Sequence, residues 1–392
     1  MTGAALYIHI PFCISKCAYC DFFSRPGSHI SSDNSYISQS YIDALCREIT
    51  YRINQFKIDC ISTVYMGGGT PSLLSGPQLK EIFCLINNSG RLARDAEITV
   101  EVNPDDVTSE LLKNLSACGV NRLSCGIQSM NDAALKKACR RADVAANRRA
   151  LELFNKEWKG QLSLDLISGL PGDNEKTLLA SLQEVCAQRP AHISLYSLTI
   201  EDNTPFGRQL NSGSLVYDFD EADRLWLLGR KFLEKFGYQW YEVSNFCLPG
   251  KECRHNLCYW THKNYLGAGS GATGTIYEAG GEGTRWTNST NIEEYTEFWN
   301  KTADVDETLI PQMSEKIDSE TSEFEYFMMG LRKLSGVSQG EFEKVFGRRL
   351  PDYFIKAFSK YEEKGWCERR EGGVWAMSRE GMLFLNRFLE EL

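Results

Sequence analysis

The chain has 392 residues, enough for two domains or for one barrel with an appendage. Hydrophobic residues make up 42% and charged residues 24%, the balance of a globular protein rather than of a disordered one. The net charge of −9 argues against broad attraction to nucleic acid or anionic lipid, and no run approaches the ~20 apolar residues of a membrane span.

The start, Met1 to Tyr7, lacks the basic segment and long apolar core of a secretory leader, so a cytoplasmic protein is expected. Short apolar runs follow at Leu6–Ile10, Ile61–Met66, Ile98–Val102, Arg122–Gly126, Leu162–Ile167 and Ile193–Leu198. Segments of helical spacing lie between them at Tyr41–Phe56, Gln78–Ile86, Ser109–Ala117, Val144–Trp158 and Glu175–Cys186. This alternation predicts an α/β fold of right-handed β-α-β units, as an open parallel sheet or a partial barrel. After about residue 207 the pattern changes. Tyr217–Phe236 reads as one helix, a Gly- and aromatic-rich region runs to about Asn291, and residues 292–317 read as charged and irregular. From Asp318 onward, helical patterns and the turn Arg370-Glu-Gly-Gly-Val374 predict a small helical or winged-helix-like module. The boundaries are therefore 1–207, 208–317 and 318–392. Residues 318–392 carry 14 acidic and 12 basic side chains, a balance that disfavours DNA binding.

In both open sheets and barrels, ligands gather at the C-terminal ends of the parallel strands. Directly after the first strand come Cys13, Cys17 and Cys20, spaced C-x3-C-x2-C. Three thiolates hold three irons of a 4Fe–4S cluster and leave one open to a ligand. A zinc site would need a fourth ligand; His29 is the nearest, and no second C-x2-C accompanies it. The other eleven of the 14 cysteines are scattered among apolar residues, as buried thiols of a reducing compartment are. Gly67-Gly-Gly-Thr70 follows the second strand, Glu101 closes the third, Gln128 follows the fourth, and Asp165 lies late in the fifth. Carboxylates at such positions suit the amine or ribose hydroxyls of an adenosyl cofactor, and Arg140 suits its carboxylate.

With these motifs the chain resembles radical S-adenosylmethionine enzymes of the oxygen-independent coproporphyrinogen oxidase-like group, and more closely the HemW-type heme chaperones. The matching stretches include Tyr7–Phe22, Gly67–Ser72, Glu101–Pro104, Asn121–Ser129, Asp165–Gly172 and His255–Trp260. The resemblance implies a partial (β/α)6 radical-SAM barrel, an α+β extension and a small C-terminal domain. It implies that Cys13, Cys17 and Cys20 ligate the cluster. It also implies that Tyr7, Tyr19, Gly68, Gly69, Thr70, Glu101, Gln128, Arg140 and Asp165 surround S-adenosylmethionine. In such proteins the cofactor chelates the open iron and is cleaved to a 5′-deoxyadenosyl radical.

Two features separate the branches. The coproporphyrinogen oxidases carry a further cysteine two positions after the third, where this chain has Phe22, and an N-terminal extension before the first strand. The chaperone branch carries His-Asn-x-x-Tyr-Trp, here His255 to Trp260. The resemblance implies heme contact there: His255 or Cys258 as an axial ligand, Tyr259 and Trp260 against the porphyrin face. Heme and a heme-accepting protein are then the partners, with a homodimer as the candidate assembly. The alternative reading is radical decarboxylation of coproporphyrinogen III. The chain departs from the family at Ala142 and Thr273, where histidines are usual, and at Ser168, where tyrosine is.

Overall fold

The computed structural model describes residues 2–27, 36–301 and 305–392. Its first half carries six strands: β1 (Gly3–Ile10), β2 (Cys60–Gly68), β3 (Leu92–Val102), β4 (Arg122–Gln128), β5 (Gln161–Ser168) and β6 (His192–Ser197). They lie side by side in chain order, each parallel to the next. Between them run α1 (Gln39–Gln55), α2 (Gly76–Asn88), α3 (Ser109–Ala117), α4 (Val144–Glu157) and α5 (Glu175–Ala187). Each helix starts on a side-chain cap: Ser38, Ser75, Thr108, Asp143 and Asn174 accept a hydrogen bond from the first turn. The six expected units are all present.

Parallel strands covered on both faces usually read as unbroken apolar runs. These alternate instead. Leu6, Ile8 and Ile10, Val64 and Met66, Ile98 and Val100, Leu123 and Cys125, Leu164 and Leu166, and Ile193 and Leu195 are buried in the main core. The residues between them are polar or aromatic: Tyr7 and His9, Thr63 and Tyr65, Glu97 and Glu101, Arg122 and Ser124, Ser163 and Asp165, His192 and Ser194. The strand register sets them in rows, with Tyr7 opposite Tyr65, Glu101 opposite Ser124, and Asp165 opposite Ser194. One face of the sheet is thus a greasy support and the other a polar lumen.

The extension is built into the same sheet. After α6 (Phe219–Lys235) come β7 (Gln239–Trp240), β8 (Asn245–Cys247), the short helix α7 (Arg254–Trp260), β9 (Tyr265–Ala268), β10 (Thr273–Tyr277), β11 (Gly283–Asn288), α8 (Ile292–Lys301) and β12 (Gln312–Ile317). β8 pairs antiparallel with β6, and β9 pairs parallel with β1. The result is one twelve-stranded sheet, in the order β12-β11-β10-β9-β1-β2-β3-β4-β5-β6-β8-β7. Since the outer edges of β1 and β6 are taken by other strands, the barrel stays open, a partial (β/α)6 barrel. The α1 pair Glu48 and Arg52, fully buried, fastens the extension. Glu48 accepts from the Gly269 N–H (2.8 Å), Asn288 (2.8 Å) and Tyr295 (2.6 Å), and Arg52 lies over Trp286.

Residues 292–317, read as irregular, are a correction: they hold α8 and β12. Ile292, Tyr295 and Trp299 form one buried stripe on a helix whose remaining positions are mostly charged or polar. β12 is an edge strand whose middle is exposed, so it shows no apolar alternation. The helix expected over 217–236 spans 219–235, capped by Asp218. The C-terminal module has α9 (Ser319–Gly330), α10 (Gln339–Phe346) and α11 (Asp352–Glu362), with a three-stranded wing of β13 (Val337–Ser338), β14 (Cys367–Arg370) and β15 (Val374–Met377). The expected turn at 370–374 is the wing tip. Phe327, Phe342, Phe354, Phe358 and Phe388 give the module a core of its own.

Candidate cluster and cofactor site

The cysteine loop leaves β1 at Pro11 and is pinned on both sides. Phe12–Cys13 pairs with Arg25–Pro26, the Ala18 N–H donates to the Ala138 carbonyl (2.9 Å), and the Phe206 N–H donates to that of Ala18 (2.9 Å). Cys13, Cys17 and Cys20 are free and half-buried. Thr70 Oγ1 donates to Cys13 Sγ and Arg140 Nη1 to Cys17 Sγ, each at 3.4 Å. Burial pushes the Cys20 thiol up, while the backbone at Phe22 and the Lys16 charge pull it down. An all-sulfur donor set that already receives hydrogen bonds fits a thiolate-held iron–sulfur group. His29 lies outside the described residues.

The two sulfurs are joined by a ring of side chains. Arg140 Nη2 donates to Asn103 Oδ1 (3.1 Å) and to the Gly126 carbonyl (2.7 Å), and Asn103 Nδ2 donates to Thr70 Oγ1 (3.3 Å). Asn103 escaped the sequence reading. Its signal was there: it stands two residues after Glu101, on the same face of the strand end. Burial works against the Arg140 charge, but Tyr19 and Cys17 beside it raise its pKa overall. Its Nε is sealed from water without an acceptor. A small cavity lined by Cys17, Thr70, Asn103, Asp105, Arg140 and Arg141 adjoins the ring, so donors already face a space beside the sulfurs.

Glu101 accepts from Tyr65 (2.8 Å) and from the Gly68 N–H (3.2 Å). Burial, reinforced by the Asp165 charge, pushes its carboxyl up to about 7. Asp165 accepts from Ser194 (2.7 Å), Ser124 (2.8 Å) and Ser163 (3.2 Å); burial raises its pKa and the three hydroxyls oppose the rise. Tyr7 is hydrogen-bonded to His9 Nδ1 (2.9 Å), and His9 Nε2 to the Phe23 carbonyl (2.9 Å), which ties the lumen to the cysteine loop. Gly68 has φ +105°, and a Cβ there would meet the His9 ring at 2.3 Å. A Cβ on Gly69 would meet the Ile10 and Phe12 carbonyl oxygens at 2.7 Å. Gly68 is explained by close packing against His9 of β1, and Gly69 by close packing against the start of the cysteine loop. Gln128 sits at φ +66° beside a break in the β4–β5 register. Tyr19 packs against the small cluster of Leu170, Leu198 and Phe206. Of the twelve residues expected at the cluster and cofactor, eleven lie on the cysteine loop, at the strand ends or on the lumen face, and Arg140 reaches in from the loop before α4.

The heme-motif residues are arranged differently. Glu97 accepts from the backbone N–H groups of Arg254 (3.2 Å) and His255 (2.9 Å), which seats α7 across the lumen. His255 is 1% exposed, with Nδ1 hydrogen-bonded to Thr63 Oγ1 (2.9 Å) and Nε2 to the Tyr259 hydroxyl (2.9 Å). Burial brings its pKa down to about 3. Both ring nitrogens are engaged, so iron would have to displace Thr63 or Tyr259 to reach one. Cys258 donates to the Arg254 carbonyl within its own helix (3.2 Å), and Trp260 faces the C-terminal module. His255 and Tyr259 face one another, while Cys258 and Trp260 turn to other partners. At the positions where the family's histidines are missing, Ala142 is buried and Thr273 is hydrogen-bonded to Thr287 (2.9 Å).

Residues 7–185 match the radical SAM superfamily, and residues 317–384 match the HemN C-terminal domain. The heme chaperone HemW of Bacillus subtilis is 35% identical, over 98% of this chain and 99% of its own length. That of Escherichia coli is 32% identical, over 98% of this chain and 97% of its own. The chain belongs to the HemW family of the radical SAM superfamily. The solved structure of coproporphyrinogen III oxidase (HemN) from Escherichia coli superposes with a TM-score of 0.81 at 21% identity. It covers all of this chain and 90% of that one, so the two share a fold.

Proposed function

We propose that the chain is a heme chaperone that takes up heme and passes it to an acceptor protein, on a radical SAM core. Full-length kinship to the HemW chaperones carries this reading. Cys13, Cys17 and Cys20 would hold a 4Fe–4S cluster. S-adenosylmethionine at its open iron would supply a 5′-deoxyadenosyl radical when reduced. Arg140 and Thr70 then hold negative charge on the sulfurs, and Asn103 keeps the two donors in register. Glu101 and Asp165 offer carboxylates to an amine and to ribose hydroxyls.

Anaerobic cluster reconstitution followed by hemin titration tests the proposal. The expected result is about four irons per chain and a saturable Soret shift. Absence of saturable binding at micromolar hemin overturns it. The intact carboxylate and arginine set also favours a second reading, radical chemistry on a tetrapyrrole. Anaerobic turnover with coproporphyrinogen III and a reductant checks it, since no product above a cluster-free control excludes the decarboxylase.

A further inference from the structure

One of the contacts of the C-terminal module with the rest of the chain is the turn of residues 331–336; Arg379 makes another, pairing with Glu234. The Leu334 N–H donates to the Tyr241 carbonyl (3.0 Å), and Lys333 forms an isolated β-bridge with Glu242. The Arg332 guanidinium lies over the Trp260 indole, 5.6 Å from the ring centre. The turn therefore touches both the flank beyond β6 and the end of the lumen helix α7.

Charges of both signs meet at this seam, Glu242 near Arg332 and Glu341 near Lys333. Lys333 stands beside Lys263, and among the described residues no carboxylate lies within ion-pair distance of Arg332, Lys333 or Lys263. Lys333 is 7% exposed, a costly place for an unpaired ammonium. The Arg332 Nε and the Trp260 Nε1 are both sealed from water without acceptors, and such donors are rare because they forfeit their hydration. The nearby Glu242 carboxylate is directed at the Ser244 N–H (3.3 Å).

We infer that this seam recognises the carboxylates of a planar dianionic ligand, which on the reading proposed above are the propionates of heme. The Arg332 fork takes one carboxylate, Lys333 with Lys263 takes the other, and the Trp260 indole N–H is satisfied as the turn lifts from it. Binding thus exchanges unmet donors and unpaired cations for charge-assisted hydrogen bonds. The site requires nothing of His255, whose nitrogens are already engaged. It also gives the C-terminal module a role: it supplies the cations that the barrel lacks on this side.

The test compares hemin with hemin dimethyl ester, which keeps the ring and iron but has no carboxylates. Soret titrations are run on the full chain and on the double variant Arg332→Gln, Lys333→Gln. The unmodified chain is expected to bind hemin at least about tenfold more tightly than the ester. The double variant is expected to lose that preference and to keep its ester affinity. Circular dichroism and S-adenosylmethionine binding report whether the variant is folded. Equal affinity of the unmodified chain for hemin and ester overturns the inference without using any variant. So does a folded variant that keeps the preference. Neither result touches the chaperone reading, which falls only if hemin does not bind at all.

Discussion

Arg140 is the side chain on which most of the cluster site leans. Its planar fork reaches Cys17, Asn103 and the Gly126 carbonyl at once, a geometry that a lysine cannot copy although it keeps the charge. Hydrogen bonds to charged groups contribute about 1.5–3 kcal/mol each. In Arg140→Lys, cluster lifetime under an iron chelator is therefore expected to fall about tenfold or more, with the circular dichroism spectrum unchanged. Glu101 makes a second prediction. With its pKa near 7 in the free chain, it is largely protonated below neutrality. A cationic amine needs the ionised form, so S-adenosylmethionine affinity is expected to rise about tenfold per pH unit up to about 7 and then level off. Calorimetric titration from pH 5.5 to 8 checks this, and Glu101→Gln should bind more weakly with a flat profile. The cysteines, Glu101 and Asp165 were legible in the sequence because a strand end followed by a polar residue is a pattern, whereas Arg140, in the loop before α4, came with the family's motif. Asn103 was not legible, because its role is to join Thr70 to Arg140, a relation between side chains that only the fold brings together.

At the scale of elements, the six β-α units could be read because each helix has both a cap and an apolar stripe. The edge strand β12 escaped because it buries little, and α8 because its apolar residues are few among charges. The lumen helix α7 was seen as a motif but not as a structural part. Its N-terminus is fixed by Glu97, and its middle by the His255 link between Thr63 and Tyr259. Removing the His255 side chain leaves those hydroxyls without partners and opens a void, which together cost about 2–4 kcal/mol. His255→Ala is expected to lower the urea midpoint accordingly while the iron content of the reconstituted chain stays the same. A variant of unaltered stability whose hemin affinity collapsed would point instead to direct ligation.

At the scale of the whole molecule, the polar lumen places titratable groups where water is scarce, and their shifts act in opposite directions on stability. His9, His192, His255 and His262 are held neutral by burial, the last two with pKa values of about 3 and about 4. Below about pH 6.5 the unfolded chain takes up protons that these folded rings refuse, so their effect makes stability rise with pH. Glu101 and Glu242, both raised to about 7, and Asp165, also raised, do the reverse. The folded chain keeps protons that the unfolded carboxylates release above about pH 4, so their effect makes stability fall as pH rises towards 7. The two sets largely offset one another between about pH 4.5 and 6.5. Above about pH 7.5 the histidines are neutral in both states, and only the carboxylates still act. The ligand-free chain is therefore expected to be most stable near pH 7 and to lose only a few tenths of a kcal/mol, roughly, by pH 8.5. Urea midpoints at half-unit intervals measure this, and a midpoint still rising from pH 7.5 to 8.5 would refute it. The double variant Glu101→Gln, Glu242→Gln removes the two carboxylates raised to about 7, and its alkaline limb should be flatter. A ligand that pairs its own cation with Glu101 would flatten it too, because the charge that is a burden in the empty lumen then has a partner.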